Sequence, residues 1–241
     1  MTADWGDVQP NDDFGCDMND LSDPAIDVYD NAMFIIALDY LLEMAPDSPQ
    51  ASRWKSLREG IERNVRAHLW DEKRQKFIPH IYPEKSPIPE GFDELAIHYH
   101  GGTAIAIEAG LLSKDEIRTV NAQMLENVRL SGMPSIGLTL YPVYPDGFFH
   151  GGMSKAYLYQ NGGDWTWFGG RMIQQLVVNG MVEEAYTEIH PMIERVIQND
   201  GFYEWYGKGG VPSGSGNFKG SAGVLSKAIE LLRDWAEKNK S

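Results

Sequence analysis

Four stretches of the chain resemble one another and recur at a coarse, regular spacing. "DNAMFIIALDYLL", "HGGTAIAIEAGLL", "FGGRMIQQLVVNGM" and "GSAGVLSKAIELL" begin near residues 30, 100, 168 and 220. Each places apolar residues at steps of three and four, the period of a helix that buries one face. Between them run three more polar segments of the same period: Trp54, Leu57, Ile61, Val65 and Leu69; then Ile117, Val120, Met124 and Val128; then Val182, Ala185, Ile189, Ile193 and Val196. A single helical hairpin leaves its apolar stripe open to water, so repeated hairpins must stack side by side. The pattern predicts an all-α fold, a partial (α/α)6 toroid with the odd helices inside and the even helices outside. At a period of about 68 residues, six hairpins would need roughly 400, so the 241 residues span part of a ring, with the missing arc on the N-terminal side.

Local signals set the expected element ends. Asp23 followed by Pro24 reads as the start of the first helix, a capping acid ahead of a proline that loses no hydrogen bond. A third helix is expected over roughly 94 to 112. Ser113 and Glu116 have the spacing of a capping box and should open the fourth. Gly180 should close the fifth, and Pro191 should bend the sixth. The segments leading into the odd helices, "KFIPHIYPE", "GLTLYPVYPDGFFHGG" and "GFYEWYGKGGVPSGSGNFKG", are aromatic and rich in Gly and Pro, as loops and short strands are. If hairpins alternate inside and outside, all these connections emerge at one end, where a site is expected.

Composition narrows the partners. Acidic residues number 35 against 21 basic ones, a formal charge of −14, so the summed field repels nucleic-acid phosphates and anionic membrane surfaces. A neutral ligand meets no such barrier. No apolar run approaches the ~18 residues of a membrane span, and "MTADWGDVQP" lacks the basic and apolar regions of a secretory leader. A soluble chain is expected, and its cellular compartment is not fixed by these features. Cys16 is the single cysteine, which leaves no intrachain disulfide.

Three loop segments carry candidate chemistry. In "YQNGGDWTWFGGRM", tryptophan faces suit the apolar faces of sugar rings, while Asn, Asp and Gln suit hydroxyls and glycine admits close backbone approach. The same residues also suit a packed junction, with Trp165 and Trp167 filling the gap between loops and helices and Gly169 and Gly170 letting helices touch. In "GFYEWYG", Glu204 sits among Phe202, Tyr203, Trp205 and Tyr206. Rings around a carboxylate raise its pKa toward neutrality and suit it to proton transfer, whereas a strand with one wet face would leave it solvated. The N-terminal "DWGDVQPNDDFGCDMNDLSD" holds seven aspartates, which suits a solvated loop, a cation, or sugar hydroxyls; the oxygen spacing of an EF-hand is absent. Within it Trp5 lies between acids, placed to stack on a ligand while Asp7 donates a proton. His98, His100 and His150 read as zinc ligands or, more simply, as partners of neighbouring groups. No metal or organic cofactor is expected.

The order "DWGD", "NGGDWTWFGGRMIQQLVVNGM" and "GFYEWYG…GNFKGSAGVLSKAIELL" resembles the catalytic domains of the six-hairpin glycosidase superfamily. The resemblance is strongest to the glucosidase part of glycogen-debranching enzymes and their bacterial relatives. It implies one toroid-like catalytic domain over residues 1–241. It further implies Asp7 as general acid, with Asp4 as the alternative, and Glu204 as general base, cleaving a glycosidic bond of an oligosaccharide with inversion. Inversion needs the carboxyls about 6.5–9.5 Å apart to admit a water. Trp5, Trp165, Trp167, Trp205 and Tyr206 would then wall the site, and Asp4, Gln160, Asn161, Asp164 and Lys219 would bind substrate. A sugar phosphorylase, using the serines and Lys219 before the last helix as an anion cradle, and a non-catalytic carbohydrate-binding module are the alternatives. A second chain or self-association would complete the ring.

Overall fold

A computed structural model describes residues 23–240 of the chain. Asp4, Trp5, Asp7 and Cys16 lie outside the described residues. Among those described, seven α-helices alternate with short strands: α1 Val28–Met44, α2 Ala51–His68, α3 His100–Glu108, α4 Lys114–Ser131, α5 Thr166–Val178, α6 Val182–Asn199 and α7 Lys219–Lys238. The strands pair antiparallel, two residues each: β1 Trp70–Asp71 with β2 Lys76–Phe77, β3 His98–Tyr99 with β4 Leu140–Tyr141, and β5 Trp205–Tyr206 with β6 Pro212–Ser213. None of these helices is long and apolar enough to cross a membrane.

The expected inner layer is present. α1 packs on α3, α3 on α5 and α5 on α7, while α2 and α6 lie behind α1 and α5. Burial follows the layers: α3 is buried along His100–Ile107, whereas Val65 is the one fully buried residue of α2. A short helix apolar on every side is stable only with neighbours all round, which is what α3 has. Two glycines set the spacing of the inner helices. A methyl on Gly102 would stand 2.7 Å from Val28 Cγ1, and one on Gly170 would stand 2.9 Å from Val224 Cγ2. Both distances are below van der Waals contact, so Cβ-free positions are what let α1 approach α3 and α5 approach α7.

The fourth helix begins where expected. Ser113 Oγ accepts from the Glu116 amide, the Glu116 carboxylate accepts from the Ser113 amide, and Gly132 ends the helix at φ 71°. Two other starts differ. α1 opens at Asp27, whose Oδ1 accepts from the Asp30 amide at 2.8 Å, and not at Asp23. Ile26 exchanges two backbone hydrogen bonds with Ile81, and this bridge holds the chain extended until Asp27. The third helix starts at His100 and not near 94, because His98 and Tyr99 pair with Tyr141 and Leu140 and leave Glu94–Ala96 as a single 3₁₀ turn. α6 continues through Pro191 to Asn199.

Candidate active site

Every strand falls in a connection from an outer helix to the next inner one, and the strands join these connections to each other. β3 and β4 link the segments entering α3 and α5, and Asp164 bridges both Leu138 and Tyr206, tying the entry of α5 to the entry of α7. The aromatic connections therefore gather at one end of the arc, where the repeat placed them.

Asp164 is the centre of this joint. It is fully buried, and both its carboxylate oxygens accept from Ser135 Oγ, at 2.9 and 2.7 Å. Arg195, reaching in from outer helix α6, places Nη1 2.8 Å from Asp164 Oδ1 and donates from Nη2 to Thr166 Oγ1 at 2.6 Å. Its guanidinium lies 4.1 Å from the centre of the Tyr206 ring. The Asp164 amide and carbonyl pair with Tyr206 as well, at 2.9 and 2.8 Å. A buried charge requires such partners, and Asp164 spends its acceptors on them.

Other residues expected on the ligand also face inward. Asn161 Oδ1 accepts from the Tyr144 amide at 2.9 Å and its Nδ2 donates to the Tyr144 carbonyl at 3.0 Å. Gln160 is buried, and its carbonyl takes the Thr139 hydroxyl at 3.0 Å. Trp165 donates Nε1–H to the Tyr159 carbonyl at 3.0 Å and meets Phe218 edge-on, and Tyr206 is fully buried. These five residues build the wall of the loop end from within. Trp167 and Trp205 are half-buried and Lys219 is exposed at the first residue of α7. Arg171 lies 4.3 Å over the Trp167 ring while pairing with Glu108.

Glu204 stands one residue before β5 and is half-buried. Its backbone amide donates to the Ser215 carbonyl at 3.0 Å, and its Oε2 accepts from the Ser215 amide at 3.3 Å. That leaves the carboxylate lightly held on the loop, unlike Asp164.

A second carboxylate at this end was hidden in the expected third helix. Glu94 Oε1 accepts from His80 Nδ1 at 2.8 Å, Tyr82 OH at 2.8 Å and Tyr144 OH at 2.6 Å. Burial pushes its carboxyl up, but the bonds and charge from His80 and the bonds from Tyr144 and Tyr82 outweigh it, and the pKa lies below the ordinary value. The alternating His80 and Tyr82 are the sequence signal for this cluster, since period-two spacing brings both side chains to one face.

Two of the three histidines, His98 and His100, pack against each other. His100 is buried with Nε2 2.9 Å from Asn127 Nδ2, and its ring stacks 5.7 Å from His98. With the Asn127 amide donating, Nε2 accepts. Burial, His98 and Lys76 hold the His100 pKa well below the usual value, and burial with Lys76 brings His98 to about 4. Among the described residues no group of three His, Cys, Asp or Glu side chains is arranged to hold a metal.

No protein-family model matches the chain, and no curated protein matches its sequence. Solved structures do match its fold. A GH63 mannosylglycerate hydrolase from Thermus thermophilus, in complex with Tris and D-glycerate, superposes with a TM-score of 0.60 at 18% identity. The match covers 87% of this chain and 46% of that one. In complex with glucose the same hydrolase gives 0.61 at 15% identity, over 87% and 48%. A conserved uncharacterized protein from the same organism gives 0.60 at 16%, over 87% and 47%. The arc of helical hairpins has the helical-toroid fold of these structures. The chain spans about half the length of these structures.

Proposed function

We propose that the chain forms part of an inverting glycoside hydrolase acting on an oligosaccharide. The observation that carries this reading is the placement of Glu204: a lightly held carboxylate, beside half-buried Trp205, on the loop-bearing end of a fold shared with a GH63 hydrolase. In this reading Glu204 takes a proton from the attacking water, and Asp7 protonates the departing glycosidic oxygen. Trp167 and Trp205 offer ring faces to the sugar, and Lys219 lies at the rim. Gln160, Asn161, Asp164, Trp165 and Tyr206 act from behind, fixing the loops that carry these groups. The resemblance of its motifs to the glucosidase part of glycogen-debranching enzymes is the reason to include glucosides among the substrates tested. A second chain, or further hairpins, covers the open flanks of α1 and α7.

The test is product release from glucosides and mannosides by the 241-residue chain and by an assembly that completes the ring, with anomers followed by NMR. We expect initial release of the inverted anomer and a loss of roughly 10²–10⁴-fold in kcat for Glu204→Gln, the range of a general base. Retention of configuration, or equal turnover by Glu204→Gln, overturns the assignment of Glu204.

A further inference from the structure

We propose that Glu94 is the polar floor of a second sugar-binding position at the loop-bearing end, with Oε2 accepting a hydrogen bond from a ligand hydroxyl. The proposal rests on the reading of the protein as carbohydrate-binding, and it concerns a residue that plays no part in the acid–base pair.

The contrast with Asp164 carries the argument. Asp164 is closed on both oxygens: it is 0% exposed and receives Ser135 on both oxygens and Arg195 on one. Glu94 is loaded on one side only. His80, Tyr82 and Tyr144 all converge on Oε1, no hydrogen bond from the described residues reaches Oε2, and the side chain keeps 10% of its surface open. Three donors on Oε1 offset the cost of keeping the group charged and hold its geometry fixed, which leaves an ionised, largely buried acceptor with remaining capacity on Oε2.

Its surroundings suit a sugar. Tyr144, which donates to Glu94, stacks on Phe148 at 4.8 Å and on Phe92 at 5.5 Å, and Phe149 meets it edge-on at 4.9 Å. Phe92, Phe148 and Phe149 are half-buried and cluster on the ring of Tyr144, whose hydroxyl reaches the carboxylate. A fixed acceptor beside ring faces is the pairing that recognises a hydroxylated ring with apolar faces. Tyr144 is also the residue clamped by Asn161 through two backbone bonds. That clamp joins the Glu94 cluster to the loop that enters α5, and through Asp164 to the strand beside Glu204.

Saturation-transfer NMR and calorimetry with glucose, mannose and maltotriose test this on the 241-residue chain. Glu94→Gln keeps an acceptor for His80, Tyr82 and Tyr144 but replaces Oε2 by a neutral amide. We expect its Kd to rise about tenfold or more, with far-UV circular dichroism unchanged. Phe148→Leu, which removes a ring without touching the hydrogen bonds, should raise Kd about threefold with unchanged far-UV circular dichroism; it stands in if Glu94→Gln does not fold. Wild-type affinity in Glu94→Gln, or in Phe148→Leu should the former not fold, overturns the Glu94 position alone. Absence of binding by wild type to all three sugars overturns the position together with the carbohydrate reading.

Discussion

Asp164 and Arg195 form the one ion pair among the described residues in which both side chains are almost wholly buried, at 0% and 5% exposure. Losing one member of such a pair leaves a charge in a poor solvent, which costs far more than the pair itself contributes. Arg195→Met is therefore expected to destabilise by about 3–5 kcal/mol in urea unfolding. Adding Asp164→Asn should recover part of that loss, because the orphaned charge is gone. A double variant no more stable than Arg195→Met would show that the charge is not what matters. The same pair explains what "NGGDWTWFGG" concealed. Crowded rings, glycines and an acid mark a place where backbone and side chains meet closely, and ligand pockets and internal joints share that signature. The deciding partner, Arg195, comes from an outer helix whose sequence reads as an ordinary amphipathic stripe.

Between elements, α4 and α6 are joined by an acid and an amide. Asn121 Nδ2 donates to Glu188 Oε1 at 2.8 Å, while Glu188 Oε2 and Asn121 Oδ1 are both buried without a partner. A proton on Glu188 removes the buried charge and gives the group a donor as well as an acceptor. Burial raises the Glu188 pKa to about 7, with the Asn121 bond opposing and Glu184 adding to the rise. Because the folded pKa lies above the unfolded value of 4.5, the folded state holds the proton more tightly. The contribution is complete below about pH 4.5 and is lost as pH rises through about 7. Glu188→Gln mimics the protonated acid, so the fall in Tm between pH 5.5 and 8.5 should be smaller in the variant than in wild type. Parallel Tm curves for the two proteins would remove Glu188 as the titrating group. This contact joins residues 67 apart in the chain, so no local pattern announces it. Where local chemistry decides, the sequence was a better guide: the Ser113–Glu116 box needs only its own helix. The ends it misplaced, at Asp23 and near 94, were decided by Ile81 and by β4, both distant in the chain.

Over the whole molecule, the repeat predicted layers that the structure has, because inner helices must be apolar on more sides than outer ones. The same logic identifies the flanks of the arc. On α1, Phe34, Leu41 and Met44 fall at i, i+7 and i+10, one face of the helix, and are 47%, 37% and 73% exposed. At the other flank α6 and α7 enclose a groove of about 800 Å³, lined by Tyr186, Ile189, Ile193, Ile229, Leu232 and Trp235 among others. Contiguous apolar surface of this kind is uncommon on a protein that works alone. An environment-sensitive apolar dye is expected to bind the 241-residue chain and brighten. Ile229→Lys with Trp235→Lys should cut that fluorescence by about half, since each long cation covers apolar surface with its stem and brings water with its head. Neither substitution touches the buried side of α7, formed by Ser221, Val224, Leu225 and Ala228, so circular dichroism and the urea midpoint should be unchanged. Undiminished fluorescence with an intact fold would show that the α6–α7 groove is already covered in solution, and that the flank which needs completing is the one formed by α1.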